Sequence, residues 1–230
     1  MTKPSPKETE RASLILKYAR RAKEALRKQC DASRQKRRAT GGALTDAEQD
    51  LLRAILVFAA AGLDSLLKRL IRDALHSLAA RDTAVQAELE TFVTRQIRPD
   101  PEVATGDATS GRRFIAKVLV ARVPLARITE EYIRDLTGES LQSAEQLFRA
   151  AKALGLEEKA LGVDAKRMRE IFASRNQIIH EMDIHLDAED KQARKRRSRT
   201  VDDMIADADC LLGVGERVIE AVEKKLRGLA

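Results

Sequence analysis

The sequence predicts an all-α fold, and two features of its 230 residues support that prediction. First, aromatic residues make up only 3% of the chain and tryptophan is absent, while alanine, leucine, arginine and glutamate are abundant. Strands favour β-branched and aromatic residues, so this composition favours helices. Second, apolar residues recur at steps of three and four over long stretches, which is the period of an amphipathic helix.

Two helices are predicted in the first third of the chain. A strongly basic helix spans about residues 8–39 and ends at Gly41 and Gly42. Thr45 and Glu48 then form a capping-box pattern ahead of a long helix over about 46–80. One face of this second helix is expected in a core, namely Leu52, Ile55, Leu56, Ala59, Leu63, Leu66, Leu67, Leu70, Ala74 and Leu78. We therefore expect a basic helix and linker over 1–44 and a helical domain over 45–230.

Caps and helix breakers predict the remaining helices. One helix begins at the cap Asp82 and runs to about Ile97, and the stretch 98–111, with its prolines and glycines, is expected to be a loop. Asp164 caps a long helix further along. In order, the later helices are expected at about 112–122, 125–137, 140–154, 165–185 and 201–227.

Composition limits the partners and the compartment. Lys and Arg number 43 against 36 Asp and Glu, a net charge of +7, which favours a polyanionic partner without identifying it. Cys30 and Cys210 are far apart and belong to no paired motif, as expected in a reducing compartment. The longest apolar run, 55–61, is far too short to span a bilayer. We expect a cytoplasmic protein with no membrane partner.

The helix over about 165–185 carries an arginine on its apolar face. That face consists of Met168, Ile171, Phe172, Ile178, Ile179 and Met182, and Arg175 falls near its middle. A guanidinium on a buried face is unfavourable unless an acid or a phosphate pairs with it. Arg175 is therefore either half of a structural ion pair or part of a functional site. His180 lies about 140° further round the helix, so it can meet Arg175 only across a groove between helices or between two chains.

The segment Arg175-Asn176-Gln177-Ile178-Ile179-His180 has the form Arg-Asn-x-x-x-His, and it resembles the signature of the HEPN superfamily of helical ribonucleases. A charged, arginine-rich stretch and a final amphipathic helix follow, which is also the HEPN order, and the resemblance covers about 45–228. The helix around Asp64 resembles the early HEPN helix in which an acid faces the motif. The resemblance implies a HEPN-like helical bundle, here with an extra basic helix at its N-terminus.

The resemblance also implies metal-independent RNA cleavage, with no cofactor, at a homodimer interface where two copies of the motif face one cleft. His180 would transfer a proton at the ribose 2′-hydroxyl or at the leaving 5′-oxygen, and Arg175 would stabilise charge on the scissile phosphate. Asn176 would orient the phosphate or the histidine, and Asp64 would hold the arginine; alternatively, Asp64 pairs with Lys68 one turn away. Such an enzyme is expected to be a toxin or antiphage effector acting on tRNA or another structured RNA, controlled by an antitoxin or regulatory protein.

Basic residues after the motif helix are expected at the rim of the cleft, in contact with RNA phosphates. They are Arg194, Lys195, Arg196, Arg197 and Arg199. The alternative is a solvated loop. The basic first helix is expected to bind RNA, to bind a partner protein or only to face water. Neither basic segment has the interleaved aromatic residues that stack on the bases of single strands.

Other interpretations remain open at this point. His180 and His185 are not spaced as two metal ligands on one helix face, so we expect no metal. A noncatalytic HEPN-fold module for RNA binding or protein interaction would keep the motif only as a relic. A DNA-binding regulator is a weaker alternative, because the exposed face expected within 112–154 carries only ordinary side chains. Those side chains are Gln142, Gln146 and Arg149.

Overall fold

The computed structural model describes residues 6–36, 43–97, 109–185 and 195–229. These residues form eight α-helices and one short 3₁₀ helix, with no strand among them, which confirms the all-α prediction. The helices are α1 (Lys7–Lys36), α2 (Asp46–Ala79), α3 (Thr83–Ile97), α4 (Thr109–Leu119), α5 (Pro124–Thr137), α6 (Ala144–Ala153), α7 (Ala165–Glu181) and α8 (Val201–Leu229). The 3₁₀ helix, Glu158–Leu161, lies between α6 and α7, where the sequence pattern predicted no element.

The helices α2, α3 and α7 begin at the residues that the sequence indicates. Thr45 Oγ1 accepts the backbone N–H of Glu48 at 3.3 Å, and the Glu48 carboxylate accepts that of Thr45 at 2.9 Å, so the predicted capping box is confirmed. Asp82 and Asp164 each accept a backbone N–H from the first turn of α3 and α7, respectively. The expected helix stops at 41–42 and residues 98–108 of the expected loop lie outside the described residues. The expectation of a loop is wrong for residues 109–111, because α4 begins at Thr109, and α6 begins at Ala144 rather than at about residue 140.

The central helix of the bundle is α2, which packs against α1, α8, α5 and α7. Every position predicted for its core face is buried, from Leu52 at one end to Leu78 at the other. Full burial of a leucine side chain contributes roughly 1.5–3 kcal/mol, so this face makes a large contribution to the stability of the fold. The regular apolar period of the sequence therefore places α2 correctly.

The basic helix α1 lies along α2 and α8 and shares their core. Ala12, Leu16, Ala19 and Cys30 on α1 are buried. A glycine permits the close approach of α1 to α2, because a Cβ atom at Gly62 would lie 2.5 Å from the Ala19 Cβ. One hydrophobic core therefore includes residues from both segments, 1–44 and 45–230.

The structure describes both cysteines and the apolar run that composition singled out. Cys30 is buried and Cys210 is partly buried, and both are free thiols. Burial raises the pKa of each thiol, which favours the unreactive protonated form. In the described ranges, none of the helices combines the length and the apolar composition that crossing a bilayer requires.

Candidate functional site

The apolar face of α7 is shorter than its sequence predicts. Four of the six expected residues are buried, whereas Ile179 and Met182 are 38% and 61% exposed. For Met182 the difference arises because α7 ends at Glu181, while the sequence predicts a helix to about residue 185. The chain then passes through the left-handed region at Met182 and Asp183, with φ of 50° and 60°. Met182 therefore points to solvent.

Arg175 lies within the buried part of that face and has no acidic hydrogen-bond partner among the described residues. Its Nη1 donates to Asn176 Oδ1 at 2.8 Å, while its Nε is buried and has no hydrogen-bond partner. Burial lowers the pKa of Arg175, and attraction to the Asp64 carboxylate partly opposes that effect. A buried donor without an acceptor costs about 1–3 kcal/mol and is rare in folded proteins. The guanidinium can therefore take an anionic acceptor that the chain itself does not supply.

Asp64 lies on the side of α2 that faces the motif helix, but it binds other groups. Its Oδ2 accepts from Lys68 Nζ at 3.0 Å, and its Oδ1 accepts the backbone N–H of Leu141 at 2.8 Å. The alternative pairing with Lys68 is thus observed, and the expected hydrogen bond to Arg175 is not. Asp64 instead fixes the segment before α6 beside the motif helix, and it acts on Arg175 only through space.

The other two motif residues differ in their surroundings. Asn176 accepts from Arg175, and its Nδ2 donates to the Gln142 carbonyl at 3.0 Å, so it positions the guanidinium against the segment before α6. His180 is exposed near the end of α7. Across the described ranges, no hydrogen bond or ion pair joins His180 to Arg175. Within one chain the two residues are therefore not in contact through polar groups, which agrees with their spacing of about 140° on the helix.

A buried ionic cluster that was not predicted from the sequence lies directly after the motif, around Asp183. The side chain of Asp183 is 0% exposed. Its Oδ2 accepts from Arg53 Nε at 2.9 Å and from Arg199 Nε at 3.0 Å, while its Oδ1 accepts from Arg199 Nη2 at 2.5 Å. Burial opposes ionisation of this carboxyl, but the hydrogen bonds from Arg199 and Arg53 outweigh it and hold the pKa of Asp183 below its ordinary value.

The sequence contains one sign of this cluster, at Arg53. It contains no sign of the left-handed turn that directs Asp183 inward. Arg53 is a basic residue flanked by core positions of α2, which is the same kind of pattern conflict as Arg175. A continued helix would place Asp183 on the face of His180, whereas the left-handed turn at Met182 directs it into the bundle. The acid next to the motif is therefore a structural group.

The basic run after α7 divides into internal and exposed residues. Arg199, predicted to contact RNA, is committed to Asp183 and also donates to Gln177 Oε1 at 3.1 Å. Arg196 is exposed but pairs with Asp50 at 2.6 Å. Arg199 is therefore unsuited to phosphate contact, and Arg196 would have to leave its carboxylate to make one.

Three other members of this run were also predicted as RNA contacts. Lys195 is exposed, and its carbonyl accepts the backbone N–H of His185 at 3.1 Å. Arg197 is half-buried, and its Nε, like that of Arg175, is a buried donor without a partner. Arg194 lies outside the described residues. Lys195 and Arg197 are therefore the described members that keep free cationic groups beside the end of α7.

The middle of α2 has an exposed strip, which we name the α2 strip: Phe58, Ala61 and Ser65. Phe58 is 52% exposed, which is unusual for the longest core helix of the bundle. Gly62 faces α1 and Asp64 faces the segment before α6, so the helix period places the α2 strip between these two sides. Phe58 and Ala61 of the strip are apolar, as are Ile179 and Met182 at the exposed end of the α7 face.

Comparison of the chain with protein-family models, with curated proteins and with solved structures finds no match. Within the part of the chain that the structure describes, no group of three or more His, Cys, Asp or Glu side chains is arranged to hold a metal ion. The chemistry of the site therefore has to be derived from the chain's own residues.

Proposed function

We propose that this chain is a metal-independent endoribonuclease of the HEPN type, with an active site built from Arg175 and His180 of two copies. The observation that carries the proposal is the buried Nε of Arg175, which has no partner although it lies in the apolar face of α7. A phosphate oxygen provides the missing acceptor, and a guanidinium binds phosphate through two parallel hydrogen bonds. RNA offers such phosphates throughout, and the net charge of +7 favours a polyanion.

The proposed reaction needs proton transfer and charge stabilisation. The ribose 2′-oxygen attacks the adjacent phosphorus and loses its proton to one His180, while the bond from phosphorus to the 5′-oxygen breaks. The 5′-oxygen receives a proton from the second His180, and the products carry a 2′,3′-cyclic phosphate and a 5′-hydroxyl. Arg175 stabilises the charge on the phosphate oxygens, and Asn176 holds Arg175 in place. Proton transfer of this kind contributes typically about 10² to 10⁴ in rate.

A second copy of the chain is part of the proposal. Arg175 and His180 lie about 140° apart on one helix, so a single copy does not direct both at one phosphate. The α2 strip, together with Ile179 and Met182, is the surface that the second copy covers in this proposal. Exposed apolar patches beside functional residues commonly mark such interaction surfaces.

The biological role follows from the activity. An RNA-cleaving enzyme harms the cell that makes it unless it is restrained, so we assign it as a cytoplasmic toxin or antiphage effector. Its substrate in this proposal is tRNA or another structured RNA, and an antitoxin or a regulatory protein controls it.

A noncatalytic RNA-binding module is the second candidate. One observation favours it: no side chain in the described part of the chain hydrogen-bonds to His180 and fixes its orientation. In that case Arg175 still binds phosphate, but no bond is broken. The two candidates give the same affinity for RNA and differ only in cleavage.

The test compares variants of the purified protein on tRNA and total RNA in excess EDTA. His180→Ala should lower the cleavage rate by about 10²-fold or more, because it removes the proton-transfer group. Arg175→Ala should cause a similar loss, because it removes charge stabilisation. The matched control is His76→Ala, since His76 is an exposed histidine on α2 and should cleave like the wild type. RNA binding by all variants, with no cleavage by any, would support the module instead.

A further inference from the structure

We propose that the outer face of α1 binds single-stranded RNA, with Lys17, Arg21 and Lys28 on the phosphates and Tyr18 stacked on a base. The inference rests on the proposed function for the identity of the ligand, and it adds the surface that holds the substrate outside the active site. We name this surface the α1 face: Leu14, Lys17, Tyr18, Arg21 and Lys28.

The α1 face is the side of the helix opposite to the core. Leu14 and Tyr18 are 52% and 58% exposed, and the three cations between and beyond them are exposed as well. At about 100° per residue, the five residues fall within an arc of roughly 100°. Lys17 and Lys28 are separated by about 16 Å along the helix axis at 1.5 Å per residue. The cationic part of the face, from Lys17 to Lys28, is therefore about three turns long.

The cations of the α1 face are free, in contrast to their neighbours on the same helix. The other neighbouring basic residues are in ion pairs: Arg20 with Glu216, Lys23 with Asp209 and Arg27 with Asp31. Among the described residues, no carboxylate lies within ion-pair distance of Lys17, Arg21 or Lys28. Pairing thus neutralises the sides of α1 but leaves its outward side positive, which fits a polyanionic ligand.

An exposed aromatic ring lies among these cations, contrary to the expectation that α1 has no aromatic platform. The Arg21 guanidinium carbon is 5.5 Å from the centroid of the Tyr18 ring. A ring paired with an arginine is a stacking platform for bases of any sequence, because every base has a π face. Phosphate contacts and base stacking together favour a single strand over a purely acidic protein partner.

Acidic residues of α8 and α1 define the limits of the α1 face. On the side toward α8, Glu216 and Glu220 line one groove with Lys17 and Arg21. Glu10 is exposed at the N-terminal end of the helix, so the cationic surface begins at Lys17. Glu24 is paired with Lys23 at 2.9 Å. Tyr18 lies on the edge toward α2, because Arg11, two turns earlier, approaches Asp73 of α2 at 3.9 Å. That edge leads toward the α2 strip, on whose far side Arg175 lies.

The test measures binding of fluorescein-labelled oligouridylate by anisotropy at several salt concentrations, in the His180→Ala background so that the RNA stays intact. Tyr18→Ala should weaken binding by about 5- to 150-fold, the effect of losing one stacked base, and Tyr18→Phe should bind like the parent. Replacing Lys17, Arg21 and Lys28 together by Gln should reduce the slope of log K against log salt by about 2, at roughly 0.7 per phosphate contact.

The matched control removes the same charge elsewhere. Arg112, Arg113 and Arg122, on and beside α4, are also exposed and unpaired among the described residues, and their triple replacement by Gln should change the salt slope far less. Equal slopes for the two triple variants, or unchanged binding by Tyr18→Ala, would overturn the proposal. Polyglutamate that displaces the RNA at equal charge concentration would also overturn it, in favour of an acidic protein partner.

The outcome is separable from that of the proposed function. If Tyr18→Ala loses RNA binding while the wild-type protein cleaves no RNA in EDTA, the result supports RNA binding by the α1 face and contradicts the ribonuclease proposal. If the wild type cleaves RNA and Tyr18→Ala binds RNA as well as the parent does, the result supports the ribonuclease proposal and contradicts RNA binding by the α1 face.

Discussion

Asp183 is the residue that fixes the end of the motif helix to the rest of the bundle. Its carboxylate receives hydrogen bonds from Arg53 of α2 and from Arg199 in the segment before α8. Arg53 Nη2 also donates to the carbonyl of Arg197 at 2.8 Å. One buried acid thus connects α2, the end of α7 and the segment before α8, next to the exposed His180.

Replacing Asp183 with Asn should lower the free energy of unfolding at pH 7 by about 3–5 kcal/mol, because it leaves Arg53 buried without its charge partner. The pKa of Asp183 is held below its ordinary value of 3.8, so its ionised form stabilises the fold above that pH. This stabilisation is lost as the pH falls below 3.8 and through the folded-state pKa. The difference between wild type and Asp183→Asn should therefore shrink between pH 7 and pH 3, as urea unfolding at both values will measure.

Asp50→Asn is the matched control for this substitution. Asp50 also pairs with Arg53, at 3.0 Å, but its side chain is 55% exposed. Asp50→Asn should lower the free energy of unfolding by no more than about 1 kcal/mol, as is usual for exposed ion pairs. Two results would contradict the role of a buried ionised carboxylate. One is that Asp50→Asn lowers the free energy of unfolding as much as Asp183→Asn does, and the other is that the effect of Asp183→Asn is the same at pH 3 and pH 7.

Helix packing at the level of elements depends on small residues where α2 meets its two long neighbours. Gly62 faces Ala19 of α1, and Gly215 of α8 faces Leu66 of α2, where an added Cβ would lie 2.7 Å from a leucine methyl. Such contacts let backbones approach closely, and interiors packed to this density do not accept an extra methyl group without movement.

Gly62→Ala should destabilise the protein by about 1–3 kcal/mol, because the new methyl group overlaps Ala19 and pushes α1 away from α2. The control is Gly228→Ala in α8, where an added Cβ meets nothing within 4 Å. Alanine is the better helix former by up to about 1 kcal/mol, so this second variant should be as stable as the wild type or slightly more stable. Thermal unfolding of both variants tests the expectation, and an undiminished melting temperature for Gly62→Ala contradicts close packing of α1 on α2.

The elements differ in how far the sequence predicts them, for physical reasons. The start of α2 is predictable because the Thr45 capping box is local, and its core face is predictable because the apolar period repeats over many turns. The end of α7 is not predictable, because Met182 and Asp183 adopt left-handed conformations and no glycine in the sequence indicates them. In the site, the apolar neighbours of Arg175 reveal its burial. Its distance from Asp64 and the pairing of Asp183 with Arg53 depend on contacts between distant parts of the chain.

The whole molecule, under the proposed function, is a pair of identical chains. Phe58, Ile179 and Met182 are apolar side chains that a single copy leaves exposed. A symmetric dimer uses the same patch on both copies, so one substitution in the α2 strip changes the interface twice.

Phe58→Glu should therefore weaken dimerisation by about 30-fold or more, the effect of removing a hot-spot residue of ~2 kcal/mol, and should abolish cleavage with the helical content unchanged. Light scattering coupled to gel filtration measures the mass of the wild type and the variant across concentrations. Leu119→Glu is the control, since Leu119 is 76% exposed at the end of α4 and should remain dimeric and active. A wild-type protein that cleaves RNA as a monomer contradicts the two-copy site.

The measurement that tests the central claim most directly is the mapping of RNA ends after incubation of the wild-type protein with tRNA in excess EDTA. The ribonuclease proposal predicts cuts that end in a 2′,3′-cyclic phosphate and a 5′-hydroxyl, present with wild type and His76→Ala and absent with His180→Ala. Intact tRNA and total RNA after incubation with the wild type, bound with the same affinity by wild type and His180→Ala, would contradict catalysis at this site.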